Sequence, residues 1–210
     1  MAEMSMNKAI HGAFRRDLTR FVGALSSFPP GDVHRGSQLA TAWANFDDQL
    51  TRHHTGEHDI AWPALASVGV SQSLLDTMDA EHETMAVALA VVRAAVPGLK
   101  RTASNEDVSH TRKAFERLQE VTLAHFEHEE AELEPVYAEK RDLPEIKAMG
   151  RAFGKVGPAE GGRFFAWVSD GASPQEKAAL TREIPGPVLA IIGGIFGRGY
   201  RKNIAPIWRT

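Results

Sequence analysis

One spacing occurs twice in this chain and limits what it can fold into. From His11 to His53 is 42 residues, then 4 to Glu57 and 6 more to Pro63; from His82 to His125 is 43, then 4 to Glu129 and 6 to Pro135. Residues four apart share a helix face one turn apart. Each half therefore reads as a helical hairpin with a lone His on its first helix and His-x-x-x-Glu on its second.

The apolar residues agree with that reading. They recur at three-four spacing instead of alternating, which predicts helices. A first helix carries Met4, Asn7, His11, Phe14, Leu18, Phe21 and Leu25, stopping at Pro29-Pro30-Gly31. A second runs from Leu39 through Trp43, Phe46, Leu50, His53, Glu57, Ile60 and Ala64, fading at Val68-Gly69. A third follows Ser71 through Leu75, Met78, His82, Met85, Leu89 and Val92, and Pro97-Gly98 is expected to close it. A fourth follows Asn105 through Val108, Phe115, Leu118, Thr122, His125, Glu129 and Val136. The expected fold is all-α, an up-down-up-down four-helix bundle over residues 1–140, followed by a helical extension over 141–210.

Within those stripes, His11, His53, Glu57, His82, His125 and Glu129 occupy core positions. Burying an unpaired neutral polar group costs roughly 2–7 kcal/mol, and a charge costs more. A metal removes that cost, supplying positive charge to the carboxylates and an acceptor for each imidazole lone pair. Four His and two Glu exceed what one metal uses, so the duplication points to two metals bridged by the carboxylates. The nitrogen and oxygen donor set suits iron, manganese or zinc.

Composition narrows the chemistry further. The 210 residues contain no cysteine, which excludes disulfides, iron–sulfur clusters and thiol catalysis. A net charge of -3 gives no general attraction to nucleic acid or anionic membrane. Met1 to Phe14 lacks the apolar run of a signal peptide, so a cytoplasmic location is expected.

His11, the segment His53-His54-Thr55-Gly56-Glu57 with Trp62-Pro63, His82, and the segment His125-Phe126-Glu127-His128-Glu129 with Pro135 together resemble the hemerythrin-like (HHE) pattern of H, HxxxE, H, HxxxE. The resemblance covers roughly residues 5 to 140. It implies two non-haem irons bridged by Glu57 and Glu129, with His11, His53, His82 and His125 as terminal ligands. Oxygen-carrying members have a further His one turn after the third-helix His, and here that position is Ala86. The nearest substitute is His54, whose slot beside the core suits either a ligand or a solvated side chain. Without that ligand the irons would keep open positions, which favours reaction with O2, H2O2 or NO over carriage. A non-catalytic O2 or iron store or sensor, and an oxidase for an organic molecule held under the extension, are the alternatives.

Other polar residues carry simpler expectations. His34, His58, His110 and His128 read as surface residues, with a proton-relay role open to His58 and His128; Glu81, Glu83, Glu127, Glu130, Glu132 and Glu134 read as solvated helix faces, of which Glu130 and Glu132 lie near enough to tune the local potential. In the extension, Gly150 to Gly162 reads as a loop, Phe164 to Val168 as a short helix, and Ser173-Pro174-Gln175-Glu176 as a capped helix start. Pro185-Gly186-Pro187 then introduces an apolar run from Val188 to Phe196 of about ten residues, half of a bilayer span. The extension is expected to pack on the bundle or pair two copies, burying Phe164, Phe165, Trp167 and Ile195.

Overall fold

The computed structural model describes residues 4–183 and 186–209. Four long helices form the body: α1 (Met6–Ser26), α2 (Val33–Gly56), α4 (Gln72–Arg101) and α5 (Asn105–Glu132), with the short α3 (Trp62–Ser67) between α2 and α4. They pack in a ring, α1 against α5, α5 against α4, α4 against α2 and α2 against α1. The architecture is all-α, as expected, and no strand occurs among the described residues. Among the described residues, no helix is long and apolar enough to cross a membrane.

Side-chain caps set the helix starts. Ser5 accepts the N–H of Lys8, Asp32 that of Arg35 and Ser71 that of Leu74. Ser104 and Asp107 form a reciprocal capping box at the head of α5. The core is aromatic: Phe14, Phe21, Trp43, Phe46, Phe115 and Phe126 are all buried within it.

The two prolines placed alike by the repeat both disturb the helix beyond the Glu. Pro63 lacks an N–H, and its ring would strike the carbonyl of Asp59 in a regular α-helix. The chain widens into a π-helical stretch, Glu57–Ala61, just ahead of it. Pro135 follows a break at Leu133, after which α6 (Glu134–Lys140) resumes. At Pro97, by contrast, the expected stop does not occur, and α4 continues to Arg101. Tertiary packing carries it through. Gly36 of α2 lies so close that a Cβ there would come within 2.1 Å of the Leu99 carbonyl oxygen. The helix ends instead at Arg101, capped by Thr102, and Ala103 follows at φ 46 with its N–H on the Gly98 carbonyl.

The extension folds into α7 (Pro144–Phe153), α8 (Pro158–Val168), α9 (Pro174–Glu183), α10 (Gly186–Phe196) and α11 (Arg198–Asn203), closing with a 3-10 turn at Ala205–Arg209. The loop expected over 150–162 is therefore mostly helix. Gly162 serves a helix crossing, where a Cβ would meet the Ile192 carbonyl oxygen at 2.6 Å. The capped start at Ser173 forms as read, with the Ser173 N–H on Glu176 and the Glu176 N–H on the Ser173 hydroxyl. Pro185 lies outside the described residues. Trp167 and Phe165 are buried and Phe164 partly so, whereas Ile195 is 57% exposed. Only one face of α10 rests on α8, so Ile191 and Ile195 point away from it.

Candidate metal centre

The seven side chains singled out above meet near the end of the bundle covered by α3 and the π-helical stretch. Two groups of candidate ligand atoms result, each with all its atoms within 4.8 Å of one another: His11, His53, Glu57 and Glu129 in one, and His54, Glu57, His82 and His125 in the other. Glu57 belongs to both. Its Oε1 lies 3.1 Å from His53 Nε2 and its Oε2 lies 3.4 Å from His82 Nε2. Glu129 Oε2 lies 3.2 Å from His11 Nε2 and 3.9 Å from His125 Nε2, while Glu129 Oε1 accepts a hydrogen bond from Asn7.

Imidazole nitrogens face each other in pairs, His11 Nε2 to His53 Nε2 at 3.1 Å and His82 Nε2 to His125 Nε2 at 2.9 Å. Both oxygens of Glu57, Oε2 of Glu129 and Nε2 of His54 are buried and without a hydrogen-bond partner. Leaving a buried polar atom unpaired costs about 1–3 kcal/mol, more for a charge. Four such atoms at one point are an arrangement that a cation at each group would satisfy, and the donors are of a type that cations take.

His54 is the residue whose place the sequence left open. Its ring stacks on His82 at 4.1 Å and meets His125 edge-on at 5.9 Å, within the second group. Ala86 is exposed on α4. Where Ala86 supplies no imidazole, α2 thus brings His54 beside Glu57, His82 and His125.

The back of the site is built of carboxylates. His11 Nδ1 lies 2.9 Å from Glu130, which Arg15 holds at 2.7 Å. His125 Nδ1 lies 2.8 Å from Glu81 Oε2, and His128 Nδ1 lies 2.7 Å from Glu81 Oε1. Glu81 and Glu130 are therefore not simply solvated faces. Each sits one residue from a candidate ligand, on the flank of the stripe, where a helical repeat gives no warning. Glu134 takes the Ser5 hydroxyl. Glu83, Glu127, Glu132, His34 and His110 are exposed as expected. His58 is exposed too, near Asp79, which accepts the Trp62 indole N–H at 2.8 Å.

Electrostatics follow from this burial. Burial pushes His53, His54 and His125 down and His82 to about 4, with neighbouring imidazoles adding to the effect. His11 moves up, because Glu129 and Glu130 outweigh its burial. Burial, with Glu129 and Asp79 nearby, raises Glu57 well above the carboxylate range. Burial acts the same way on Glu129, but contact with His11 outweighs it and holds the group low. Neutral imidazoles are the form that binds a metal.

Residues 5–137 match the family model described as the hemerythrin HHE cation binding domain. The chain belongs to this family. No curated protein and no solved structure matches it. As an HHE domain it is a cation-binding protein, and both His/Glu groups lie within the matched residues.

Proposed function

We propose that this HHE domain holds two iron ions and reacts at them with O2, H2O2 or NO. The observation that carries the reading is Glu57, whose two buried, unpaired oxygens each face a different histidine. His11 and His53 would hold one ion and His54, His82 and His125 the other, with Glu57 and Glu129 between them. Iron so held supplies a redox-active Lewis acid for a small oxidant. The chain does the rest. Glu130 and Glu81 accept from Nδ1 of His11 and His125, turning each Nε2 lone pair inward. Phe126, stacked on His11 at 3.8 Å, and Trp62 beside His82 keep water from the flanks.

Metal analysis of the purified protein, together with its optical spectrum, tests this reading. Two irons per chain and oxygen evolution from H2O2 that is lost in His82→Ala are expected; one metal or none would defeat it.

Reversible O2 binding without turnover is a second reading, favoured by His54, which leaves fewer positions for an exogenous ligand. Under it, His54→Ala would convert a stable oxygenated colour into peroxide consumption. Oxidation of an organic molecule under the extension draws no support from two clefts beside it, of about 490 and 380 Å³, since none of the seven side chains lines either one.

A further inference from the structure

Four tryptophans lie in this chain, and they are not equivalent. Trp167, brought in by α8, is 1% exposed and packs on Phe14 with ring centroids 4.7 Å apart. Phe14 in turn lies 5.5 Å from the ring of His53 and 5.8 Å from Phe126, the ring stacked on His11. Two ring contacts therefore separate Trp167 from a candidate ligand. Its indole N–H donates to Asp17 Oδ2 at 2.8 Å, and Asp17 is itself 3% exposed, with its other oxygen held by Arg20 at 3.0 Å. A buried carboxylate against a buried indole costs desolvation that simple packing does not explain, since a Phe would fill the space without it.

The pairing lowers the cost of removing an electron from the indole. Oxidation makes the ring positive and its N–H acidic. An adjacent carboxylate in a low-dielectric setting stabilises that charge and offers a base for the proton. Burial also raises the proton affinity of Asp17, against the opposing pull of Trp167 and Arg20. Trp62 resembles it in having a carboxylate acceptor, Asp79, but that carboxylate is exposed enough for water to screen it. Trp208 has a buried N–H with no partner, and Trp43 reaches the centre only through Phe46 and Phe14.

We propose that Trp167 is a one-electron donor to the metal centre, with Asp17 as the acceptor of its indole proton. The inference rests on the diiron reading above. Hydrogen peroxide takes up two electrons, and two protons from solvent, to give two waters; Trp167 supplies one electron and the metal pair, oxidised by one, the other. The Nε1–H bond of Trp167 breaks, its proton passes to Asp17 Oδ2, and a neutral indolyl radical remains. Such a donor protects the histidine ligands from oxidation when no other reductant is present.

The full-length, iron-loaded protein is mixed with one equivalent of H2O2, frozen, and examined by electron paramagnetic resonance. An organic radical is expected whose hyperfine pattern changes when the protein is grown with ring-deuterated tryptophan. The signal should be lost in Trp167→Phe at unchanged iron content and kept in Trp62→Phe. Peptide mass spectrometry of the wild-type protein after repeated peroxide additions should find oxidised Trp167 and intact Trp43 and Trp208, a readout that needs no variant to fold. A radical insensitive to tryptophan labelling, one retained in Trp167→Phe, or oxidation centred on Trp62 would overturn the proposal. So would an iron-loaded protein that forms neither radical nor product, which leaves the diiron reading standing. A protein that takes up no iron fails that reading instead, and this one with it.

Discussion

At the scale of single residues, the site is a balance between burial and partnership, and pH shifts that balance in the metal-free protein. Free imidazoles protonate near 6.5, whereas burial pushes His53, His54 and His125 lower and His82 to about 4. Across that window the unfolded chain binds more protons than the folded one, so stability falls as pH falls. His82 alone accounts for about 3 kcal/mol, at roughly 1.4 kcal/mol per pKa unit. Glu57, raised in the folded state, opposes this trend. His11, also raised, acts above 6.5 and so outside the window. Asp17 and Glu134, also raised, oppose it too; four imidazoles against three carboxylates still predict a net loss. Thermal melting of chelator-treated protein should show a lower Tm at pH 5 than at pH 7; equal values would contradict the assignment of buried, neutral imidazoles. The convergence of six of these side chains was legible in the sequence because each interrupts an apolar stripe. His54 was not, since it lies one residue round the helix from His53 and its direction depends on how α2 packs against α4. Behind the imidazoles, Glu81 was hidden for the same reason, and Glu130 was legible only as a charge near the site.

At the scale of elements, periodicity gave four helices and their order, but where each one ends is decided by its neighbours. Pro97 looks like a stop when only the local chain is considered, and the helix passes through it because α2 and α5 grip its last turn. A Cβ at Gly98 would meet the Asp107 carboxylate at 2.5 Å, and one at Gly36 would meet the Leu99 carbonyl oxygen at 2.1 Å. Close approach of two backbones is a tertiary fact that no single stretch of sequence states. It has a direct consequence at Gly36, which is buried, has helical neighbours and lacks any conformational need for glycine. Helix propensity alone favours Gly36→Ala by up to about 1 kcal/mol. The structure predicts the reverse. A Cβ there meets backbone, which cannot swing aside as a side chain can, and overpacking of this kind costs about 1–3 kcal/mol. Denaturant unfolding of Gly36→Ala should show a lower midpoint with an unchanged slope. A stabilised variant would mean that α2 and α4 stand further apart than described.

For the molecule as a whole, the question is whether residues 141–210 are an appendage or part of the fold. Trp167 packs on Phe14, Trp208 packs on Phe21 at 5.0 Å, and Val168, Tyr200 and Ile207 are buried in the same core as the bundle helices. Polar contacts reinforce the seam: Arg16 binds Glu176 and the Val168 carbonyl, Arg35 binds the Ile207 carbonyl and Arg52 binds Glu160. These contacts lie along α1 and α2, the most loosely joined neighbours in the helical ring. Phe153 of α7 also covers Gly56, one residue before Glu57. Truncating one buried Trp to Ala costs about 3–5 kcal/mol, against a typical total stability of about 5–15 kcal/mol. Removing the extension takes away several such side chains and leaves Asp17 buried beside an exposed gap. The full chain should therefore unfold in a single calorimetric transition whose van't Hoff and calorimetric enthalpies agree. Residues 1–140 alone should be unable to hold two metal ions per chain after purification. Two separate transitions, or a truncated protein that binds metal and melts at the temperature of the full chain, would instead make the extension a separate unit.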